Sequence, residues 1–365
     1  MNSYLKGSQV LKLERTDYME NVVYILGAGF SAPLGLPVMS NFVSKSKDMY
    51  FNTDGKYDYF NEVFQLIERM SYIKNYYDSN LFNIEEILSI LEMSNFLNGD
   101  KDKQLFIDYI SEVINYYTPK IQKRKLPGNF QDFIMGARKS VHNSYGNFIA
   151  SLLKLVFKRN EGQITYEVNK HLGYNYSLIS LNYDRVIENY IDHLSKVFTP
   201  KDEIKIINSI NNYDDLANQI ALCKLHGCVE KQNIIPPTWN KNSNDKLLQT
   251  WQLADTVLRE ANHIRIIGYS LPVTDSYIIY LLKSSILNCK HLKTIDVITL
   301  DNDGQTKKNY DEFIDYNYYR FQNKNILDYF ATIKSEFDKN NRSSSTSSGY
   351  KFNSLEKAHK IFMDK

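Results

Sequence analysis

Residues 21–37 read NVVYILGAGFSAPLGLP, an unbroken β-branched, aromatic and aliphatic run that passes directly into Gly-Ala-Gly. The apolar run has the length and composition of one buried strand, here taken as residues 21–26. Gly27, Gly29 and Gly35 then fall within nine positions, in a chain that has only 15 glycines in 365 residues. A buried strand closed by Gly-x-Gly and followed by a helix start presents backbone N–H groups at a positive helix end. Glycine there lets a pyrophosphate approach with no Cβ in the way. The pattern is G-x-G-x-x-A with Ala32 last, it predicts a helix from about Ala32, and Ser31 adds a hydroxyl inside the loop. The same residues also suit a tight strand-to-helix turn that binds nothing, so Gly27, Ala28, Gly29 and Ser31 are candidate dinucleotide-binding positions with a structural alternative beside them.

Further strand signals are YSLISLN (176–182), ALCKLHG (221–227), HIRIIGYS (263–270) and KTIDVITLD (293–301), with helical segments between them. Alternating strands and helices predict an α/β fold with a parallel, doubly wound, Rossmann-like sheet. Between residues 58 and 160 the pattern changes. YFNEVFQLIERMSYIKNYY, NIEEILSILEMSNFL, KQLFIDYISEVINYY and VHNSYGNFIASLLKLVFKR space apolar residues three and four apart, as amphipathic helices do, and a Pro-Gly turn in KRKLPGNFQDF interrupts the series. The expected organisation is a discontinuous sheet domain, 1–57 and 161–305, split by a helical insertion at 58–160. A C-terminal extension at 306–365 contains a Ser-rich linker, 340–350, and a short final helix. The insertion's aromatics, among them Tyr59, Phe60, Phe64, Tyr72, Tyr76, Tyr77, Phe82, Phe106, Tyr109, Tyr116 and Tyr117, are expected to serve either this domain's own core or an interface with another chain.

Composition narrows the partners. Basic and acidic residues number 44 and 42, a net charge of +2, so no global field draws in nucleic acid. No apolar run suits a membrane span, the first twenty residues lack the apolar core of a signal peptide, and three cysteines argue for a reducing compartment. A cytoplasmic protein is expected.

Each remaining strand end carries chemistry. Asn182 and Asp184 stand where a strand meets a helix, at the carboxyl edge that forms the ligand crevice of a parallel sheet. They also suit a turn and a helix cap. His226 ends another strand and can transfer protons near neutral pH, or pack structurally. Gly268 and Ser270 form a second glycine turn suited to phosphate or ribose, with Asp275 expected to cap the next helix. Asn302 and Asp303 suit ribose hydroxyls or plain turn chemistry.

Taken in order, Gly-Ala-Gly-x-Ser, Asn-x-Asp, His-Gly, Gly-x-Ser-Leu and Asn-Asp resemble the sirtuin family over residues 21–50 and about 175–303. LNYD, LHG, IPPTW (235–239) and IGYSLPVTD look closer to the bacterial sirtuin-like NAD hydrolases of antiphage defence than to the protein deacylases. The resemblance implies NAD as substrate, cleaved between nicotinamide and ribose to nicotinamide and ADP-ribose, in an abortive-infection role that depletes NAD. It implies Asn182 and His226 as catalytic residues, with Asn182 orienting water or ribose hydroxyls and His226 as base. Gly27, Ala28, Gly29 and Ser31 would hold the pyrophosphate, Asp184 the carboxamide, and Gly268, Ser270, Asn302 and Asp303 the ribose and adenine end.

Two departures from the deacylase pattern bear on this. Cys223, Cys228 and Cys289 cannot supply the two Cys-x-x-Cys pairs of a structural zinc, so no metal is expected. LPVMSNF also lacks the arginine that the deacylases place after the glycine loop. An NAD-dependent protein deacylase and a non-catalytic nucleotide sensor are the alternatives. A dehydrogenase would use Asp48, at roughly the spacing of a ribose-binding acid, but leaves Asn-x-Asp and His-Gly unexplained. Homo-oligomerisation through the insertion, and gating by a HerA-type ATPase or another phage-sensing protein, complete the expectations.

Overall fold

The computed structural model describes residues 19–121, 140–160, 163–213, 219–231, 234, 245–287, 289, 291–341 and 349–365. The Pro-Gly turn, IPPTW and residues 342–348 of the Ser-rich linker lie outside the described residues. The strands, in chain order, are β1 (Glu20–Leu26), β2 (Leu155–Asn160), β3 (Gln163–Val168), β4 (Tyr174–Ser180), β5 (Thr199–Pro200), β6 (Lys205–Ile207), β7 (Gln219–Lys224), β8 (His263–Ile267), β9 (Thr294–Thr299), β10 (Tyr319–Asn323) and β11 (Tyr350–Lys351).

Seven of them form a sheet in the order β10-β9-β8-β1-β4-β7-β6, and every pairing in it is parallel. The chain leaves β1 towards β4 and β7, then returns to place β8 on the other side of β1. That reversal is the topological switch point, beside which doubly wound sheets carry ligands. The expected α/β, doubly wound parallel sheet is thus observed.

Both sheet faces are buried, and β1 shows how. Val22, Tyr24 and Leu26 enter one apolar cluster while Val23 and Ile25 enter the other, the two-residue alternation of a pleated strand. The first face is covered by helices Phe60–Met70, Ile84–Asn98, Asp102–Tyr117, Val141–Leu152, Val186–Val197, Ile326–Asn340 and Leu355–Met363. The second is covered by Asp245–Arg259 and Ser276–Ile286, with Tyr310 from Gln305–Phe313. The insertion's aromatics divide: Phe60, Phe106 and Tyr109 are buried, whereas Tyr72, Tyr76, Tyr77, Phe82 and Tyr116 are exposed.

Two local expectations are corrected. The glycine loop opens a single α-turn, Ala28–Ser31, and a 3-10 turn, Ala32–Leu34, because Pro33 and left-handed Gly35 (φ 94°) stop propagation. The first long helix after β1 is Phe42–Phe51. Helix Val141–Leu152 ends before Lys154, which has φ 54°, and Leu155–Asn160 is a strand rather than the last turns of that helix. This β2 pairs with β3 and β11 in a second sheet, ordered β11-β2-β3-β5.

The final helix is anchored to the middle of the large sheet by buried charge. Arg265 on β8 donates to Glu356 at 2.8 and 2.5 Å and to the Tyr24 hydroxyl at 2.7 Å. His359 pairs with Asp296 of β9 at 2.8 Å and with the Tyr329 hydroxyl at 3.1 Å. Among the described residues no helix is long and apolar enough to cross a membrane.

Candidate active site

Parallel strands bring their carboxyl ends to one edge, so the turns after β1, β4, β7, β8 and β9 all open there. Main-chain bonds continue the ladder past the strands: Leu181 N donates to Leu26 O at 2.9 Å and Leu225 N to Ser180 O at 3.1 Å. This continuation sets Asn182 beside Gly27.

A chain of side-chain bonds then crosses the β1 and β4 turns. Asn182 Nδ2 donates to Gly27 O at 2.9 Å and to Ser31 Oγ at 3.2 Å, and the Ser31 hydroxyl stands near enough to the Asp184 carboxylate to favour its charged form. Asp184 accepts from Val186 N at 2.9 Å, closing the start of helix Val186–Val197. Asp184 thus makes a turn bond one residue ahead of the N-cap Arg185, and the same residue lines a cleft. Burial pushes the Asp184 carboxyl above its ordinary value, with the Lys224 ammonium, the Val186 N–H and the Ser31 hydroxyl opposing the shift. Lys224 itself donates to Asp184 O and pairs with Glu188 at 3.3 Å.

Ala28, Ser31, Asn182 and Asp184 line one cleft, together with Pro37, Phe42, Tyr183 and three residues of the insertion, Ile84, Glu85 and Ile114. Glu85 sits in the first turn of its helix, whose N-terminus Asn83 caps by accepting from Glu85 N and Glu86 N. The insertion therefore supplies a wall of this cleft. Nothing local in the sequence marks Glu85 as facing the strand ends.

His226, 2% exposed, is not among the residues that line this cleft but adjoins Glu85, which is. Its Nδ1 lies 3.9 Å from Glu85 Oε1 and its Nε2 lies 3.6 Å from Asp275 Oδ1. Both ring nitrogens are buried, and among the described residues neither has a hydrogen-bond partner. Asp275 is at the N-cap position of helix Ser276–Ile286 as expected, but its side chain makes no cap bond. It accepts instead from the Tyr269 hydroxyl at 2.8 Å.

The glycines carry a second finding. A Cβ on Gly27 would lie 2.5 Å from Gly268 O, one on Gly29 2.8 Å from Gly268 Cα, and one on Gly268 2.4 Å from Phe30 N. The N–H groups of Gly27, Gly29 and Phe30 are already donated to Ile267 O, Gly268 O and Gly27 O. The bare N–H groups expected at Gly27 and Gly29 are thus engaged within the protein, and glycine is required there by main-chain packing of two turns. Ala28, between them, is exposed at the cleft.

Ser270, Asn302 and Asp303 are exposed at the ends of β8 and β9. Asp303 accepts from Gln305 N at 3.1 Å, and buried Asp301 accepts from the N–H groups of Gly304, Thr306 and Lys307. Those three bonds hold the Asp301 carboxyl below its ordinary value although burial alone would raise it. Asp48, the acid a dehydrogenase would use, is exposed on helix Phe42–Phe51 rather than at a strand end. Cys223 and Cys228 are buried, and burial pushes the Cys223 thiol up. Among the described residues no group of three or more His, Cys, Asp or Glu side chains could hold a metal ion.

No protein-family model matches the chain, and no curated protein matches it. Solved structures do resemble it. One is a histidine-to-alanine variant of Sir2 with a deacetylated p53 peptide and 3'-O-acetyl ADP-ribose, at 11% identity and TM-score 0.38, over 87% of this chain and 94% of that one. Another is Sir2 with a p53 peptide and NAD+, at 12% identity and TM-score 0.35, over 87% and 93%. Likeness at this level carries no argument about chemistry, which rests on the site itself.

Proposed function

We propose that this protein hydrolyses NAD at the bond between nicotinamide and ribose, releasing nicotinamide and ADP-ribose. The observation that carries the reading is the convergence of Ser31, Asn182 and Asp184 on one cleft at the carboxyl edge of the sheet, with the buried imidazole of His226, which has no hydrogen bond among the described residues, next to Glu85 of the cleft wall. Sirtuin-type wording at all five strand ends agrees with it.

The residues suit this substrate in distinct ways. Asn182, locked to Gly27 O and Ser31, is held rigidly enough to orient water or a ribose hydroxyl, and fixed geometry of this kind lowers barriers without reorganisation. Asp184 presents a buried acceptor suited to a carboxamide N–H. His226 takes the proton of the attacking water or of a ribose hydroxyl. Ala28 and Ser31 border the pyrophosphate, while Ser270, Asn302 and Asp303 face solvent where the ribose and adenine end would extend. No metal takes part in this scheme.

An enzyme that destroys NAD endangers its own cell, so we place it in the cytoplasm as an abortive-infection effector under control. The insertion, which walls the cleft through Ile84, Glu85 and Ile114, is the natural gate. Its exposed Tyr72, Tyr76, Tyr77 and Phe82 suit self-association, and an associated ATPase or another phage-sensing protein suits the role of activator.

Incubation of purified protein with NAD, followed by chromatography of the products, tests the reading. Equimolar nicotinamide and ADP-ribose are expected, formed equally fast with or without an acetylated peptide. Nicotinamide release that depends on the peptide and yields acetylated ADP-ribose would instead establish a deacylase.

A further inference from the structure

We propose that Asp275 is the positioning residue of His226, engaging the imidazole through Nε2–H and leaving Nδ1 as the basic nitrogen on the side of Glu85 and the cleft. The inference deepens the NAD-cleavage reading and rests on it for the identity of the substrate. The pairing itself rests on the contacts alone.

The imidazole is 2% exposed and lies between two carboxylates, with Asp275 Oδ1 3.6 Å from Nε2 and Glu85 Oε1 3.9 Å from Nδ1. Among the described residues neither nitrogen has a hydrogen bond. Buried polar nitrogens are nearly always satisfied, and the exceptions call for an explanation. Catalytic hydrogen bonds are commonly long before substrate binds and shorten in the productive complex, so a closure of under about 1 Å separates this arrangement from a bonded pair.

The two carboxylates are not equivalent. Asp275 is 1% exposed, and its other oxygen is held by the Tyr269 hydroxyl at 2.8 Å. Its backbone is pinned as well: Asp275 N donates to Pro272 O at 3.0 Å, and Ile279 N donates to Asp275 O at 3.3 Å. The turn that delivers it runs through Leu271, buried with φ 51°, a conformation that a branched side chain rarely adopts. A carboxylate fixed this firmly selects one tautomer of the ring beside it, as the orienting acid of a nucleophile–base–acid triad does. Glu85, by contrast, lines the cleft and arrives on a helix of the insertion. The proton therefore resides on Nε2, towards Asp275. In the reaction, the O–H bond of water or a ribose hydroxyl breaks as the N–H bond forms at Nδ1, and the resulting imidazolium lies between Asp275 and Glu85.

The test reads the tautomer directly. Nitrogen-15 NMR of the full chain labelled at its 7 histidines, with His226 assigned by loss of its signal in His226→Gln, is expected to show the Nε2–H tautomer. Asp275→Asn is expected to shift that equilibrium and to lower kcat for NAD by about 100-fold or more while KM changes little. Tyr269→Phe, a milder change, is expected to move both readouts the same way by a smaller factor. A wild-type His226 carrying its proton on Nδ1, or a tautomer and kcat indifferent to both substitutions, would overturn the proposal. Because the wild-type tautomer is read without Asp275→Asn, misfolding of that variant leaves the question decidable. A clean Nε2–H signal in a protein that cleaves no NAD would sink the functional reading and spare the pairing.

Discussion

Gly29 donates its N–H to the carbonyl oxygen of Gly268 at 2.8 Å, so the turns that close β1 and β8 meet at main-chain distance. These are the strands on either side of the topological switch point. The seam fixes the relative height of the two turns, and with it the position of Gly27 O, to which Asn182 is bonded.

The seam predicts the effect of Gly268→Ala. The residue has φ +62°, and an added Cβ would stand 2.4 Å from Phe30 N, a backbone atom with no freedom to yield. Strain and displacement together should cost about 2 kcal/mol or more. Denaturant titration reads this as a lowered midpoint with an unchanged slope; a midpoint equal to wild type would show that the turns separate readily.

Asn182→Ala and His226→Ala should each reduce NAD cleavage by about 100- to 10,000-fold with the circular dichroism spectrum retained. Both residues follow their strands rather than belong to them, so chemistry should suffer more than the core. Near wild-type turnover by folded His226→Ala would remove the imidazole from the mechanism.

Asn302→Ala and Asp303→Ala address the other end of the substrate. Loss of one neutral hydrogen bond is worth about 1 kcal/mol, roughly fivefold in KM. The expected result is that increase in KM with kcat retained, because neither residue approaches Asn182 or His226 among the described contacts. Unchanged KM in both variants would reduce these residues to the turn that Asp303 makes with Gln305 N.

Acid should loosen the C-terminal helix. Burial and the nearby Arg265 guanidinium lower the pKa of His359 from 6.5 to about 4, against the pull of Asp296 and Glu356. A depressed folded-state pKa contributes stability above the unfolded value that is lost as pH falls towards the folded one. Stability should therefore decline between pH 6.5 and 4, by up to about 1.4 kcal/mol per pH unit for one proton. Asp296, held down to about 2 by His359 and Arg320 despite its burial, adds a loss only at lower pH. Thermal melts of wild type and His359→Gln across this range check the claim. Equal slopes for the two proteins would contradict it.

The sequence conveyed the central strands because β1, β4, β7, β8 and β9 are short apolar runs ended by turn residues. β10, YRFQN, escaped because it is a half-exposed edge strand with little apolar character. β2 escaped because LVFKRN continues a helical apolar pattern, and only the break at Lys154 separates the two. Asn182, Asp184 and His226 were legible as strand-end polar residues, whereas Glu85 and the true partner of Asp275 were not. Asp275 stands before a helix, so local chemistry suggests a cap, and only the fold brings Tyr269 and His226 to it. The glycine loop was legible as a turn, but its need for glycine arises from contact with Gly268, which spacing along the chain does not encode.

The bond between Arg265 and Glu356 spans 91 residues of chain. Until Glu356 leaves the ribosome, β8 carries a cation into the sheet with no acid to receive it, and burying such a charge is strongly unfavourable. The large sheet can therefore form in outline during synthesis but settle only when the last helix arrives. A chain truncated before Leu355 would bury the Arg265 guanidinium without its carboxylate, so helix Leu355–Met363 is part of the sheet's folding unit rather than an appendage to it.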